Sequence, residues 1–340
     1  MLKDLFKKLL YASGALGAYH RIRNADSLTV VMFHRTLDPE DPRWKSCDPD
    51  YTLATPWLSE SLVFFKRHYN VVSLGRVLES RSGGATLPAR ALLITFDDGW
   101  SDNVDYALPE LQRLGLPAVM FVVADAVGSK QAFFQERLIA AWRLGKMRVD
   151  ELSAALRPYI TDGWQPDDNS IVDLREAIAR LEMLELAVRD DVLKPFISDM
   201  DDGLRHMVST PELGRLQDGG VALGLHGKTH TPMTVALDVD AELAGARVEF
   251  ARHTGQPVSC VQSMSFPHGA YDAAIAQQAR EAGYELLFTS VPVLNPVSPQ
   301  VGWLLGRTGY ETDTVVDSSG RFRPDWLAMY LFRRESRRLA

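Results

Sequence analysis

Short apolar runs alternate with amphipathic segments along most of the chain, and most of these runs end in polar residues. The runs lie at 27–35, 91–99, 116–124, 221–230, 260–269 and 284–290. Continuous apolar strands that alternate with helices are typical of a parallel sheet buried on both faces. In barrels of this kind the catalytic residues lie at the carboxyl ends of the strands. The pattern therefore predicts an α/β fold, namely a distorted and incomplete (β/α) barrel of mostly parallel strands with a helical insertion.

The alternation of strands and helices is interrupted between residues 130 and 205. Within this segment, apolar residues such as Leu174, Ile178 and Leu181 recur every three or four positions across 171–192. This spacing predicts one amphipathic helix over that range. We interpret the segment as a helical insertion in a loop of the barrel; the alternative is that its helices belong to the outer ring. The predicted segments are a basic amphipathic helix at 1–25, the barrel at 26–129 and 206–320, the helical insertion at 130–205, and a C-terminal helix with a basic tail at 321–340.

Lysines and leucines are interleaved at helical spacing in the first 23 residues. The apolar stretch that follows is interrupted by Gly14 and Gly17, which is not typical of a cleaved signal peptide. A basic amphipathic helix of this kind lies either on an anionic membrane surface or against the domain itself. The chain has no run of about 18 uninterrupted apolar residues, so we expect no transmembrane helix. We expect a cytoplasmic protein, with peripheral attachment to the inner face of the membrane through residues 1–23 as one option.

The overall composition narrows the choice of partners. The 340 residues are 46% hydrophobic and carry a net charge of −7. This length suits one large domain or two smaller ones. Because no global basic field is present, we expect no nucleic-acid partner. Two cysteines, Cys47 and Cys260, provide neither a disulfide framework nor a cysteine-rich metal cluster.

Two histidines, His226 and His230, follow one of the apolar runs. Their spacing of four lets both imidazoles reach one ion from a helical turn or a tight loop. Two histidines and one carboxylate leave positions open on a divalent metal, as catalysis requires. Packed or surface histidines are the alternative interpretation of this spacing.

Two adjacent aspartates, Asp97 and Asp98, follow another run, with Gly99 placed to turn the chain. Two neighbouring carboxylates do not both ionise easily unless a cation lies between them or one of them acts as a base. The alternative is an acidic pair that caps a helix starting near Ser101.

Three motifs occur in order along the chain, each after an apolar run: TFDDG at 95–99, HGKTH at 226–230 and SFPHGAYD at 265–272. Together they resemble the motifs of the polysaccharide deacetylase family, the NodB-homology domain of carbohydrate esterase family four. The resemblance spans roughly residues 28–125 and 207–310. It implies a barrel that hydrolyses the N-acetyl groups of sugars.

The resemblance also implies roles for individual residues. It makes Asp97 the catalytic base, and Asp98, His226 and His230 the ligands of one divalent metal ion. Zinc is the expected ion, with cobalt, nickel and iron as alternatives, because all four accept two imidazoles and a carboxylate. Lys228 stands inside the histidine motif, and we expect it to point away from the ion.

The third motif departs from the family's usual pattern of arginine, any residue, proline, aromatic residue and glycine. Substrate and oxyanion contacts are expected from Pro267, His268, Gly269 and Tyr271, with the backbone N–H after the proline as the oxyanion donor. This motif contains no arginine that could orient the base. Arg307 is a candidate replacement; the alternative is an arginine on the barrel surface.

The histidine that usually supplies the acid near the C-terminus of the family is missing, since no histidine follows His268. The stretch VVMFHR at 30–35 resembles the opening of the exopolysaccharide branch of the family, which deacetylates poly-N-acetylglucosamine and related polymers. In that branch the acid role belongs to this histidine. The resemblance therefore implies that His34 is the general acid; the alternative is a structural histidine at the strand end.

We expect metal-dependent hydrolytic N-deacetylation of an N-acetylated sugar in a bacterial surface polysaccharide or its lipid-linked precursor. The expected partner is therefore an N-acetylated glycan or a lipid-linked sugar. Two other hypotheses stay open at this point. One is a catalytically weak barrel that binds a glycan or a partner enzyme, and the other is a metal-dependent hydrolase of a non-sugar amide.

Overall fold

The computed structural model describes residues 2–339. Met1 and Ala340, at the outer ends of two predicted segments, lie outside the described residues, as do the side chains of Leu2 and Lys3. The helices of the described chain are α1 (Leu2–Ala12), α2 (Ala15–Arg23), α3 (Thr55–His68), α4 (Leu74–Arg81), α5 (Leu108–Leu114), α6 (Phe134–Arg143), α7 (Val149–Leu156), α8 (Ile171–Glu182), α9 (Leu186–Leu193), α10 (Thr210–Asp218), α11 (Ala246–Thr254), α12 (Ala273–Glu281), α13 (Thr312–Val315) and α14 (Pro324–Phe332).

The strands are short, and most of them belong to one sheet. They are β1 (Ser27–Phe33), β2 (Arg35–Leu37), β3 (Thr52–Ala54), β4 (Asn70–Val71), β5 (Ala91–Phe96), β6 (Ala118–Val122), β7 (Val221–Leu225), β8 (Ser263–Ser265), β9 (Leu286–Phe288), β10 (Asn295–Pro296), β11 (Leu304–Leu305) and β12 (Thr308–Gly309). The main sheet has the order β10-β1-β5-β6-β7-β8-β9-β11, with β12 also paired to β1 and β4 to β5. Its pairings are parallel except the one between β1 and β10. The predicted (β/α) barrel of mostly parallel strands is therefore confirmed.

The sheet nearly closes on itself and leaves one unsealed seam, between β11 and the edge at β1. Asn295 bridges this seam with its side chain. Its amide nitrogen donates to Leu28 O at 3.2 Å and to Gly306 O at 2.9 Å, and its oxygen accepts from Gly306 N at 2.8 Å. Side-chain hydrogen bonds thus replace part of the missing strand pairing.

Alternate residues of the strands face two different apolar cores. Val30 and Leu93 pack with Phe121 on one side of the sheet, whereas Val31 and Ile94 belong to the larger core on the other side, under the helices. Both faces of the central strands are therefore buried, which explains why the apolar runs are continuous rather than alternating.

The register of the strands brings the polar residues of different motifs to one edge. β1 pairs in parallel with β5, with Phe33 opposite Phe96. The next residues, His34 and Asp97, therefore leave the sheet at the same edge. β7 lies two strands beyond β5 in the sheet and ends immediately before His226. This edge is the carboxyl end of the parallel strands, where barrels of this type hold their chemistry.

A second compact unit consists of Pro39–Pro49 and Ser129–Met207. In this unit Asp48 forms an ion pair with Arg175, with 2.6 Å between Oδ1 and Nη2. The sequence pattern gave no sign that Pro39–Pro49 groups with the inserted helices. The domain boundaries stated above stay a prediction.

The expectation of one helix over 171–192 is wrong, because the segment forms two helices, α8 and α9. They are separated by a turn in which Leu184 N donates to Leu181 O. Leu181 of α8 and Val192 of α9 are buried in the same small core. The turn lets both helices pack on that core. One straight helix of the same length would extend beyond it.

The N-terminal segment also forms two helices rather than the single helix expected. Gly14, between α1 and α2, has a φ of +78°, a left-handed conformation that glycine adopts without a steric penalty. α1 packs against α14, where Asp4 forms an ion pair with Arg323 at 2.9 Å. None of the described helices combines the length and the apolar character needed to cross a lipid bilayer.

Candidate active site

The two aspartates stand at a sharp turn directly after β5. Asp97 still donates its backbone N–H to Phe33 O at 2.9 Å, and the chain then turns through left-handed conformations at Asp98 (φ 75°) and Gly99 (φ 83°). A Cβ on Gly99 would lie 2.6 Å from Val122 Cγ1, so only glycine fits there. The turn gives the two carboxylates different partners.

Asp97 is held by Arg307. Both carboxylate oxygens accept hydrogen bonds of 2.7 Å from the guanidinium, and both residues are about 1% exposed. Arg307 is therefore buried beside the expected base and does not lie on the barrel surface. Burial raises the pKa of the Asp97 carboxyl, but the Arg307 guanidinium and nearby imidazoles lower it by more, so the pKa lies below its ordinary value.

Asp98 faces the two histidines of the second motif. Asp98 Oδ1 lies 3.3 Å from His226 Nε2 and 3.3 Å from His230 Nε2. Its other oxygen accepts a 2.8 Å hydrogen bond from the indole N–H of Trp100. One potential ligand atom from each of the three residues lies within 4.8 Å of the other two.

The three side chains fit a divalent metal ion. Asp98 Oδ1 is buried and accepts no hydrogen bond, which is costly unless another positive partner is bound. Two imidazole nitrogens and one carboxylate oxygen that converge on one point are the donor set of zinc and related ions. Despite the burial of Asp98, the surrounding histidines hold the pKa of its carboxyl well below its usual range.

His226 is oriented for metal binding by its second ring nitrogen. Its Nδ1 lies 3.0 Å from the carbonyl oxygen of Ser265 and 2.5 Å from Ser265 Oγ. With the proton on Nδ1 donated to that carbonyl, the Nε2 lone pair is left toward Asp98. Burial lowers the pKa of His226 to about 4. At neutral pH the ring is therefore uncharged, the form that a metal requires.

The loop between the two histidines is held by Glu242, a residue that no sequence motif indicates. Its carboxylate accepts hydrogen bonds from Lys228 N at 2.8 Å, Thr229 N at 3.0 Å and Thr229 Oγ1. Lys228 Nζ lies 3.2 Å from Asp125 Oδ2, which agrees with the expectation that the ammonium avoids the ligands. Glu242 lies 12 positions after His230 in a segment with no motif, so only the folded loop reveals it.

The third motif forms a short turn beside His230. The ring of His268 lies 4.6 Å from that of His230, and its φ of 56° is left-handed. The amide of Gly269 donates to Phe266 O at 2.9 Å and is therefore engaged within the turn. The amide of His268 stays the predicted donor to the oxyanion. Tyr271 stacks on Phe266, with ring centroids 4.9 Å apart.

The tip of the turn is restricted by a close neighbour. A Cβ on Gly269 would lie 2.7 Å from Ser290 Oγ. Pro267, which opens the turn, is buried. The structure thus brings Pro267, His268 and Gly269 to the mouth of the barrel, the edge at which the parallel strands end, together with the two histidines. Tyr271 has a packing partner, Phe266, beside this turn.

His34 lies at the same mouth, after β1. Its carbonyl accepts a 2.7 Å hydrogen bond from Asn103 Nδ2, and its ring meets Tyr51 edge-on at 4.9 Å. The charge of His34 contributes to the lowered pKa of both Asp97 and Asp98. A cavity of about 460 Å³ begins at His34.

The residue after His34 has a structural role that the motif did not reveal. Arg35 forms a buried ion pair with Asp102 at 2.8 Å, and its guanidinium lies 4.4 Å from the centre of the Trp100 ring. The same Trp100 donates to Asp98. These contacts connect the opening of β1 to the segment that follows the aspartates.

The described residues form a nearly closed barrel of parallel strands. At its mouth, an aspartate–histidine–histidine triad lies beside a second aspartate that is bound by an arginine. This combination defines the class of deacetylase barrels. Residues 84–164 match the family model described as polysaccharide deacetylase. This match includes Asp97 and Asp98 but not the two histidines. The resemblance to the polysaccharide deacetylase family that the motifs indicated is therefore confirmed.

Named relatives support the same family. The poly-beta-1,6-N-acetyl-D-glucosamine N-deacetylase of Escherichia coli K12 is 29% identical over 143 residues, which cover 38% of this chain and 20% of that protein. The enzyme of the same name from Staphylococcus epidermidis is 26% identical over 143 residues, covering 42% of this chain and 47% of that protein. The chain thus matches less than half of the length of each of these relatives.

The fold is shared with a solved deacetylase. Streptococcus pyogenes deacetylase PplD, in complex with acetate, aligns with a TM-score of 0.55 at 13% identity, covering 90% of this chain and 98% of that protein. At this identity the likeness concerns the fold.

Proposed function

We propose that this protein is a hydrolase that removes the acetyl group from an N-acetylated sugar. The substrate is a bacterial surface polysaccharide or its lipid-linked precursor. The observation that carries the proposal is the division between two adjacent carboxylates: Asp97 pairs with Arg307, and Asp98 faces His226 and His230. One carboxylate is thus available as a base and the other as a ligand.

A divalent ion at Asp98, His226 and His230, for which we propose zinc, would act as a Lewis acid on the acetamide carbonyl and lower the pKa of water at the site. Asp97 accepts the proton of the attacking water, and its lowered pKa keeps it ionised and ready to do so at neutral pH. Arg307 fixes both oxygens of Asp97, so the base has one orientation. Ser265 supports the arrangement by orienting His226.

The remaining steps require an oxyanion donor and an acid. The amide of His268 stabilises the oxygen on which negative charge develops, because a fixed N–H donor acts strongly at a site shielded from water. His34 gives a proton to the departing amine as the carbon–nitrogen bond breaks, which yields acetate and a free amino sugar. The cavity beside His34 receives the neighbouring part of the glycan.

The proposal is tested by the release of acetate from N-acetylglucosamine oligomers, both β-1,6- and β-1,4-linked, by the zinc-loaded protein. Asp97→Asn should lower kcat by about 10²–10⁴-fold with little change in zinc content. Asp218→Asn, at an exposed aspartate at the end of α10, is the matched control and should behave as the wild type. Zinc-loaded protein that releases no acetate from any oligomer or lipid-linked N-acetylated sugar would overturn the proposal.

The alternative of a non-sugar amide is decided by the same assay. The water-activating site would serve any accessible acetamide, so simple amides are included beside the sugars. Cleavage of simple amides with inert sugars would replace the sugar assignment. The alternative of a catalytically weak binding module has less support, because binding a glycan would not require a buried arginine to hold a carboxylate ionised next to a metal-type triad.

A further inference from the structure

Helix α1 presents three large apolar side chains to the solvent. Leu5, Phe6 and Leu9 are 54%, 61% and 59% exposed, and we call these three residues the outward stripe. They lie on one side of the helix because they are spaced by one, three and four positions. A surface helix normally turns such a stripe toward the core, so this orientation requires another explanation.

The orientation is fixed by polar contacts on the opposite side of α1. Asp4 accepts hydrogen bonds from Arg323 at 2.9 Å and from the indole of Trp326 at 3.0 Å. About two turns further on, Tyr11 Oη lies 3.1 Å from His68 Nε2. These contacts, with the packing of Leu10 and Tyr11 against the large core, anchor the helix by that side. They leave the outward stripe without a partner among the described residues.

The second helix continues the same arrangement. α2 buries Leu16 and His20 against the core, whereas Ile22 is 83% exposed. Tyr19 is also exposed. Both N-terminal helices are therefore firmly attached to the domain and still present large apolar side chains to the solvent.

The region around these helices is basic although the chain as a whole is acidic. Residues 2–24 contain five lysines and arginines and one aspartate, in a chain with a net charge of −7. Arg23 donates hydrogen bonds to Phe332 O and Arg334 O, which brings the tail RRESRR at 333–338 beside α2. Lys8 and Arg21 are exposed on the two helices themselves.

We propose that the outward stripe docks on an anionic lipid bilayer, with α1 lying in the plane of the membrane interface. Leu5, Phe6 and Leu9 enter the boundary between headgroups and acyl chains, while the surrounding basic side chains meet the lipid phosphates. A narrow apolar stripe inside a basic region fits this surface, because lipids supply both an apolar phase and negative charge. The proposal is independent of the deacetylase chemistry, and it would hold the protein at a membrane surface.

The test is the sedimentation of the full-length protein with vesicles of phosphatidylcholine alone and of phosphatidylcholine mixed with phosphatidylglycerol. Wild type should bind the mixed vesicles and release from them as salt is raised. The triple variant Leu5→Ser/Phe6→Ser/Leu9→Ser should bind at least about tenfold more weakly. Lys8→Gln and Arg21→Gln should each weaken binding by about fivefold.

Val248→Ser, at a 45% exposed valine of α11, is the matched control and should bind as the wild type. Circular dichroism and thermal unfolding of the triple variant should match the wild type, since the substituted positions are exposed. Equal vesicle binding by triple variant and wild type would overturn the proposal, as would a wild type that ignores anionic vesicles. Self-association of the wild type that the triple variant abolishes, without vesicle binding, would instead assign the stripe to a contact between copies of this chain and overturn the proposal as well.

Discussion

Arg307 and Asp97 form a buried bidentate ion pair at the one unsealed seam of the barrel. Arg307 lies between β11 and β12, which pair with strands on opposite sides of the seam. Its two terminal nitrogens hold Asp97 at 2.7 Å each, and its Nε donates to Thr289 O at 3.1 Å. One side chain therefore supports both the closure of the barrel and the orientation of the expected base.

The first prediction concerns the stability of this pair. Arg307→Met should lower the free energy of unfolding at pH 7 by about 3–5 kcal/mol, because a buried carboxylate loses the guanidinium that neutralises it. Denaturant unfolding followed by circular dichroism measures the loss. The double variant Asp97→Asn/Arg307→Met should recover part of it, since neither side chain of the pair then carries a charge. A double variant no more stable than Arg307→Met would contradict this account.

Much of the site could be predicted because it depends on local sequence and on one rule of topology. Asp97, Asp98, His226 and His34 each follow a strand, and parallel strands bring their carboxyl ends to one edge. Continuous apolar runs identified those strands without any knowledge of their order. The structure therefore brings these residues together as the topology requires.

The parts of the site that the sequence did not predict depend on contacts between distant segments. Arg307 meets Asp97 across 210 positions, whereas its sequence surroundings favoured a position on the barrel surface. Glu242 stands in no motif, and nothing in the third motif indicates that its first residue, Ser265, contacts His226. The N-terminal periodicity indicated an amphipathic helix, but the side of α1 that faces the domain depends on its contact with α14, which no local pattern contains.

The second prediction concerns the loop that carries the histidines. Glu242→Gln should weaken zinc binding by about 10–100-fold, because the loop amides of Lys228 and Thr229 lose a charged acceptor that positions His230. Competition against a chromophoric chelator measures the affinity without any substrate. Glu249→Gln, on α11, is the matched control. Unchanged zinc affinity in Glu242→Gln would remove Glu242 from the positioning of the loop.

The third prediction concerns the dependence of stability on pH. His20 is buried, its ring stacks on Phe332 at 4.0 Å, and burial lowers its pKa to about 3 from the ordinary 6.5. As the pH falls below 6.5, the unfolded chain binds a proton at His20 that the folded chain excludes. The contribution is therefore fully present above that pH and is lost progressively as the pH falls toward 3.

Wild type should lose up to about 2 kcal/mol more unfolding free energy between pH 7 and pH 5 than His20→Leu, which cannot be protonated at this position. Denaturant unfolding at the two pH values gives the difference. His68, in the same aromatic cluster, has a pKa lowered to about 4 and is present in both proteins, so its contribution cancels. Parallel pH profiles of the two proteins would contradict the buried, neutral state of His20.

The fourth prediction separates backbone strain from steric overlap at the turn after the aspartates. Gly115, with a φ of 65°, has no atom within 4 Å of an added Cβ, so Gly115→Ala should cost only the left-handed strain of about 1–2 kcal/mol. Gly99→Ala carries the same strain and also places its Cβ 2.6 Å from Val122 Cγ1, a fully buried side chain. It should cost about 1–3 kcal/mol more, because the packed core cannot move aside.

Gly99→Ala should also weaken zinc binding, since the turn that would be displaced carries Asp98, whereas Gly115→Ala should leave zinc binding unchanged. Denaturant unfolding and chelator competition on the two variants measure the two effects separately. Equal costs for the two substitutions would mean that the contact with Val122 does not restrict the turn. A destabilised Gly99→Ala with full zinc affinity would mean that Asp98 keeps its position when the turn shifts, and that the triad depends on the histidine loop instead.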